Sequence, residues 1–402
     1  MFLKKINFLK EEYLFPKFFL ALIVVFLPFF ILPFTQNPIE INKIYFFSFL
    51  TIISLFLYLF KISFAKEITI KENIIFFFVL LFILSSLLSS FLSTDQYLSF
   101  LGSFGLYNNG FFVLLFLILF SFLVFQVFDR PNILAGLFIF GTFISLLIFL
   151  LSGFLPVKIV QGFPSFFDFL KIRFFNPSSS FSQIFGLVLS VVAVFLIISF
   201  FNASKKRMVL ISFLLALLFL TFFILNNKFV WLNISFSLIF FLLISLLSKA
   251  FKERINFFIL PILLLFVSLF FLLFGSINQP AQFDSFFLGQ RDSLQIAFSV
   301  LKTSLKNFFL GSGPGTFSYD YLKFKPDSLN QRILWSVNFD RAKNYFLNIL
   351  TEQGILSFFF FLALVFSSFL SFWRNREKKE IFPYFFAYLS SIFALFFYPF
   401  SF

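Results

Sequence analysis

The sequence contains no cysteine and no histidine. The missing cysteines exclude disulfides, thiolate nucleophiles and iron–sulfur clusters, and the two absences together exclude the usual zinc ligand sets. Without histidine the commonest general base is gone as well. Charge is the next scarcity. Only 12% of the 402 residues are Asp, Glu, Lys or Arg, about half the share usual in soluble proteins. With 60% hydrophobic residues and a mean hydropathy of +1.02, the chain lacks the polar surface that a soluble enzyme needs. Any catalysis must run on Asp, Glu, Lys, Arg, Tyr or backbone groups.

What the chain has in excess is phenylalanine, 85 residues, together with a formal net charge of +14. The phenylalanine reads as lipid-facing filler in place of leucine. The positive charge would suit nucleic acid in a soluble protein. In a membrane protein it follows from the gathering of Lys and Arg in cytoplasmic loops, so no nucleic-acid partner is expected. Apolar runs of about 17–25 residues mark membrane-spanning helices. About eleven are present, near 18–34, 44–60, 74–92, 110–128, 132–154, 181–201, 207–225, 229–248, 256–274, 354–372 and 382–400. The first follows a charged stretch, Lys4 to Lys17, and no small-residue cleavage site comes after it, so it reads as a span rather than a signal peptide.

The predicted fold class is an all-α integral membrane protein, a single polytopic domain over 1–402. Placing the N-terminus in the cytoplasm puts 18 of the 31 Lys and Arg residues inside, among them Lys61, Lys66, Lys71, Arg130, Lys205, Lys206 and Arg207. The short outer loops then hold only Lys43, Lys158, Lys171, Arg173 and Lys228. The remaining basic residues fall in one long extracytoplasmic segment, 276–353, between spans nine and ten. That segment and the outer stretches 93–109 and 155–180 are longer than a turn needs, which points to function on the outer face. The middle stretch carries Asp168, Lys171, Arg173 and Asn176 ahead of a Pro177 helix start.

Three parts of the long segment carry chemistry. Residues 284–309 place Leu294, Phe298, Leu301, Leu305 and Phe308 at helical spacing, with Arg291, Gln295, Lys302 and Lys306 opposite. This predicts an amphipathic helix in the membrane interface, apolar side to lipid, that either caps the bundle or binds a phosphorylated lipid through its basic side. Next comes GSGPGTF, 311–317, whose glycines permit close backbone approach. It lacks the Gly-Lys-Ser/Thr end of a nucleotide loop, and taken alone it reads as a turn. The third part is NFDRAKNYFLNILTEQGIL, 338–356. Here Asp340 is the expected N-cap, 341–353 the expected helix and Gly354 its break. That helix would put Asp340, Lys343 and Asn344 on one face and Arg341, Tyr345, Asn348 and Glu352 on another, with an Asp340–Lys343 surface pair. Elsewhere, Lys228 stands in the tight connection LNNKFVW, where it either snorkels to the interface or serves as an anion ligand.

In this order, these pieces resemble the O-antigen ligase and polymerase family of multi-span glycosyltransferases. The strongest part of the resemblance is 289–357: an Arg opening an interfacial helix, then GxGPGxF, then Asp-Arg-Ala-x-Asn-x-x-Leu running into Gly-Ile-Leu. Weaker echoes are SFLGSFGLYNNG at 99–110, RFFNPSSS at 173–180 and LNNKFVW at 225–231. The resemblance implies metal-independent transfer of glycan from a polyprenyl-pyrophosphate carrier to an acceptor hydroxyl on lipid, glycan or protein, with no cofactor, at the outer face of the cytoplasmic (inner) membrane. It implies that Arg291 is the catalytic arginine, that Lys228 stands for a second arginine, and that Gly311, Gly313, Gly315, Asp340, Arg341 and Asn344 line the substrate site.

Two positions depart from the pattern. The family's histidine, thought to activate the acceptor, is Lys343 here, and a frequent Trp is Gln295. A lysine acts as a base only when its pKa falls by roughly 2–3 units. Either Lys343 does so, or it only binds phosphate or sugar while a carboxylate such as Asp292 or Asp340 is the base, or transfer is lost. The competing classes are a non-catalytic assembly factor for lipid-linked glycans and a membrane transporter.

Overall fold

The computed structural model describes residues 13–32, 39–64, 71, 73–103, 109–154, 172, 174–177, 182–247, 258–275, 288–330 and 335–397. Residues 4–10, the basic positions Lys66, Lys158, Lys249, Lys252 and Arg254, and the loop residues Asp168, Lys171 and Arg173 lie outside them, as does 276–287. The described residues are almost wholly helical. Seven of their helices are long and apolar enough to cross a membrane, and shorter apolar helices accompany them.

Contacts divide the chain into two compact units. The first comprises 1–83 and 100–180 with Phe402. Its helices are α1 (Leu14–Phe26), α2 (Glu40–Ser63), the start of α3 (Ile74–Phe91), α5 (Phe111–Val127) and α6 (Pro131–Phe154); α4 (Gln96–Leu101) ends at its edge. Leu20, Ile23, Phe47, Leu50, Tyr58, Leu123 and Val127 form its core. Gly141 on α6 faces the Val25 carbonyl of α1 with no room for a side chain, and the Ser145 hydroxyl donates to the Pro28 carbonyl at 2.8 Å. Small residues of this kind let apolar helices approach closely.

Lys43, expected in an outer loop, sits in the first turn of α2 instead. It is 1% exposed, and its Nζ donates to the Pro177 carbonyl at 2.8 Å. Its acceptor lies 134 residues away in sequence, so local charge patterning has no access to it.

The second unit comprises 84–99 and 181–401. It holds the end of α3, then α7 (Ser182–Ser199), α8 (Lys205–Leu225), α9 (Lys228–Leu247), α10 (Ile259–Phe274), α11 (Gln290–Lys302), α12 (Leu305–Leu310), α13 (Phe317–Phe324), α14 (Tyr345–Arg374) and α15 (Phe382–Ala394). Helix α7 is the inner one, packed by α8, α9 and α15. Phenylalanine is as much core as filler here. Phe201, Phe241, Phe372, Phe382, Phe385 and Phe386 pack with Val194, Ile198 and Ile244, while Phe213, Phe240 and Phe366 remain exposed. The Phe372 and Phe385 rings stack at 3.6 Å. Hydrogen bonds add specificity: Asn233 Nδ2 donates to Ser190 Oγ at 2.7 Å and to Ser390 Oγ at 2.9 Å, tying α9 to both α7 and α15.

Two expected helices are corrected. The amphipathic helix over 284–309 breaks into α11 and α12. Ser304 adopts an extended backbone and accepts the Asn307 N–H at 3.1 Å, so it caps a new helix. The buried face of α11 is Asp292, Ser293, Ile296, Ala297, Val300 and Leu301, while Phe298, Leu305 and Phe308 stay exposed. The small and β-branched stripe turns inward because it packs on α14.

The helix expected from Arg341 begins at Tyr345. Asn344 caps it by accepting the Leu347 N–H at 2.9 Å, whereas the Asp340 carboxylate is held by Arg341. Gly354 does break the helical geometry, with φ 71° and ψ −174°, a region open essentially to glycine alone.

A Cβ on Gly354 would lie 2.5 Å from the Phe309 carbonyl and 2.6 Å from the Gly311 nitrogen. Gly354→Ala should therefore destabilise the fold by at least about 1–3 kcal/mol from backbone strain alone. Thermal unfolding in detergent micelles checks this, and an unchanged midpoint would show that the kink tolerates a side chain.

Candidate functional site

The site is built where the GSGPGTF loop, the kink of α14 and the first turn of α11 meet. The glycines at 311 and 354 make the meeting possible. Gly311 has φ +69°, and a Cβ there would strike the backbone of Glu352 and Gln353, just as one on Gly354 would strike the loop. Two main chains thus cross with nothing between them. Gly313 presses in the same way on the Ser93 and Ser99 hydroxyls.

The loop's N–H groups are held by the protein. Gly311 donates to the Asn307 carbonyl at 2.9 Å, Ser312 to the Thr351 carbonyl at 3.3 Å, Gly313 to the Glu352 carbonyl at 2.7 Å and Thr316 to the Gly313 carbonyl at 3.2 Å. The Phe317 N–H donates to the Glu352 carboxylate at 3.1 Å, and the Gly315 N–H joins it. A phosphate cradle works by turning backbone N–H groups toward the anion. This loop commits them within the protein, most of them to α14, so Gly311, Gly313 and Gly315 act by packing in the structure as it stands.

A serine stripe on α3 holds the other side. Ser89 Oγ donates to the Leu310 carbonyl at 2.6 Å, Ser86 Oγ to Gln353 Oε1 at 2.6 Å and Ser357 Oγ to Ser85 Oγ at 2.9 Å. The Thr94 N–H reaches the Ser312 carbonyl at 2.9 Å. The pairs in LSSLLSS, 84–90, carry this signal in the sequence, although they average into an apolar run.

Cationic residues stand on several of the adjoining segments. Arg291 is exposed at the second residue of α11, ahead of the first helical hydrogen bond, Ser293 N–H to the Gly289 carbonyl at 2.9 Å. A helix N-terminus favours anions, and an arginine placed there strengthens that preference. The Lys343 N–H donates to Ser293 Oγ at 3.0 Å, and Asn344 Nδ2 donates to Gln290 Oε1 at 3.2 Å. These two bonds bring the 343–344 backbone beside the turn bearing Arg291, about fifty positions earlier in the chain.

Arg341 is buried and doubly bonded to Asp340, Nε at 3.2 Å and NH2 at 3.1 Å. This replaces the expected Asp340–Lys343 pair, because Arg341, outside the helix, reaches back to its neighbour. Lys228, which follows the left-handed cap Asn226 at the start of α9, lies half-buried against Phe229. Phe229 packs on Phe397 with centroids 5.0 Å apart, and the Tyr345 N–H donates to the Leu395 carbonyl at 3.1 Å. Phe229 and the start of α14 therefore meet the same turn beyond α15.

Asp292, in the first turn of α11, is buried too, and two further buried carboxyls complete the site. Glu352 is 1% exposed and accepts from Asn348 Nδ2 at 2.7 Å; Asn348 Oδ1 in turn accepts the Ala342 N–H at 3.1 Å. Asp320 on α13 accepts the Ser312 hydroxyl, which itself accepts from Thr316 Oγ1 at 2.9 Å. Burial pushes the Asp320 carboxyl from its ordinary 3.8 up to about 7, against the opposing pull of Ser312, Lys306 and Lys323. Reading by motif passed over Asp320, Ser312 and Ser293, and it named Asn348 and Glu352 only as members of a helix face.

Asp320 binds its proton more tightly folded than unfolded, so its contribution favours the fold below the ordinary carboxylate range and is lost as pH rises through about 7. Asp320→Asn should remove that loss. The gap in thermal midpoint between wild type and variant should shift in the variant's favour from about pH 5 to about pH 8; a gap independent of pH would exclude titration of Asp320 in this range.

Comparison with protein-family models finds no match, and searches of curated proteins and of solved structures find no similar chain, so the site stands on its own geometry.

Proposed function

We propose that the chain transfers a glycan from a polyprenyl-pyrophosphate carrier to an acceptor hydroxyl at the outer face of the cytoplasmic membrane. In this reading about eleven helices span the bilayer with the N-terminus inside, and 276–353 forms the extracytoplasmic segment that carries the chemistry. One observation supports it most: Arg291, at the open N-terminus of α11, and Lys343 are drawn together by the Ser293 and Gln290 hydrogen bonds. That is a pair of cations beside a helix end, suited to a pyrophosphate.

The chemistry balances without a cofactor. The acceptor oxygen attacks the anomeric carbon as the bond from that carbon to the pyrophosphate oxygen breaks. Arg291, which keeps its charge and offers a planar pair of donors, stabilises the departing pyrophosphate, and Lys228 adds a second charge. The acceptor proton passes to Lys343 in its neutral form or to a carboxylate at the site. Gly311, Gly313 and Gly315 contribute by holding the loop, Asp340 by pairing Arg341, and Asn344 by fixing the first turn of α14. The acceptor is a hydroxyl of lipid, glycan or protein, and membrane lipids surround the bundle.

A second reading, a non-catalytic factor that binds lipid-linked glycan, is favoured by one observation. The residue in the position of the expected base is a lysine.

The test is a transfer assay in nanodiscs with a polyprenyl-pyrophosphate-linked glycan and envelope extract as acceptor. Arg291→Ala should lower transfer by about a hundredfold or more, as loss of a group that stabilises a leaving anion does. Lys343→His should preserve or raise it, and EDTA should leave it unchanged. Transfer unaffected by Arg291→Ala overturns the site assignment; donor binding without transfer in wild type supports the second reading.

A further inference from the structure

Glu352 does not reach the surface, yet it touches both halves of the site. One carboxylate oxygen accepts the Phe317 N–H at 3.1 Å, closing the GSGPGTF loop onto α14. The other accepts Asn348 Nδ2 at 2.7 Å. The same Asn348 side chain uses its oxygen to accept the Ala342 N–H at 3.1 Å. Ala342 is the residue between Arg341 and Lys343, and it is buried at 1% exposure. An amide can serve both neighbours only one way round: its nitrogen must face the carboxylate so that its oxygen faces Ala342. The accepting oxygen of Glu352 therefore matches the orientation of Asn348, and Asn348 holds the backbone that carries the two cations.

We infer that Glu352 is a positioning residue for the cationic segment, acting through Asn348. The ligand part of this inference rests on the proposed function; the positioning part does not. Its neighbours on the strand of contacts agree with the direction of control. Lys343 is tied one residue further on, to Ser293 at 3.0 Å, so the segment is held at both ends of the Ala342–Lys343 peptide. Release of one end frees the Lys343 head relative to Arg291 without unpacking the helices around it. A role confined to closing the glycine loop predicts something different, because Asn348 plays no part in that closure.

The two variants that separate these roles are Glu352→Gln and Asn348→Ala, measured in the full chain in detergent micelles. Hydrogen exchange is followed at 340–344 and at 311–317. Binding of geranylgeranyl pyrophosphate serves as the ligand probe, and Ser367→Ala, farther along the same helix where its hydroxyl donates to the Leu364 carbonyl, is the control. Leaving a buried hydrogen-bonding group without its partner changes an equilibrium by about tenfold or more.

Asn348→Ala should raise exchange at 340–344 by about tenfold or more with exchange at 311–317 unchanged, and should weaken probe binding to a similar extent. Glu352→Gln should raise exchange in both segments. Exchange at 340–344 equal to the control in both variants overturns the inference. So does faster exchange there with probe binding unaltered, since the segment would then be loosened without consequence for its ligand. A wild type that fails to bind the probe removes the donor from the proposed function and leaves the exchange of 340–344 to decide positioning.

Discussion

A carboxylate shut away from water has to find its hydrogen bonds in protein, and the arrangement around Glu352 follows from that requirement. Its side chain draws in the Phe317 N–H and the Asn348 amide, while its main-chain carbonyl takes the Gly313 N–H. Both sets of bonds demand that the loop lie directly against α14. Only glycine at 311 and 354 lets the two backbones come that close. The kink, the loop and the serine stripe of α3 are thus one device viewed from three elements. The cationic segment before α14 is an extension of it.

The helices of the second unit are held by a different balance. In lipid, apolar side chains gain little by leaving the solvent, so packing and interhelical hydrogen bonds decide the arrangement. Flat rings meet that need by stacking, as Phe236 does on Phe393 at 3.7 Å and Phe372 on Phe385. Between them, Ser235 reaches Ser268 at 2.8 Å and Asn233 reaches two serines. The excess of phenylalanine thereby acquires a structural use that composition alone does not show.

The helical segments were legible in the sequence because an apolar run of sufficient length leaves the backbone no better option than a helix. The run at 44–60 became α2 and that at 132–154 became α6 with ends moved by a few residues. Gly354 as a break was legible too. What failed were decisions made between remote groups. Asp340 and Asn344 are both good caps by type, and the choice fell to Asn344 because Arg341 took the Asp340 carboxylate. Ser304 broke a helix whose apolar periodicity ran straight through it, and the inward face of α11 followed its neighbours rather than the size of its hydrophobic side chains. For Lys43 the deciding partner is a carbonyl far along the chain. Of the site, the residue types and their order were readable; the commitment of most of the loop's N–H groups to α14 was not.

The Asn233 bonds have a consequence for how the chain is made. Ser190 leaves the ribosome before Asn233, but Ser390 follows it by 157 residues. Until α15 emerges, one of the two hydrogen bonds donated by Asn233 Nδ2 is missing in the middle of an apolar helix. The Tyr345 N–H likewise waits for the Leu395 carbonyl. Helix α15 therefore acts as a latch in time as well as in space. A chain stalled before it would carry two more unpaired donors, on Asn233 and Tyr345, than the finished bundle does.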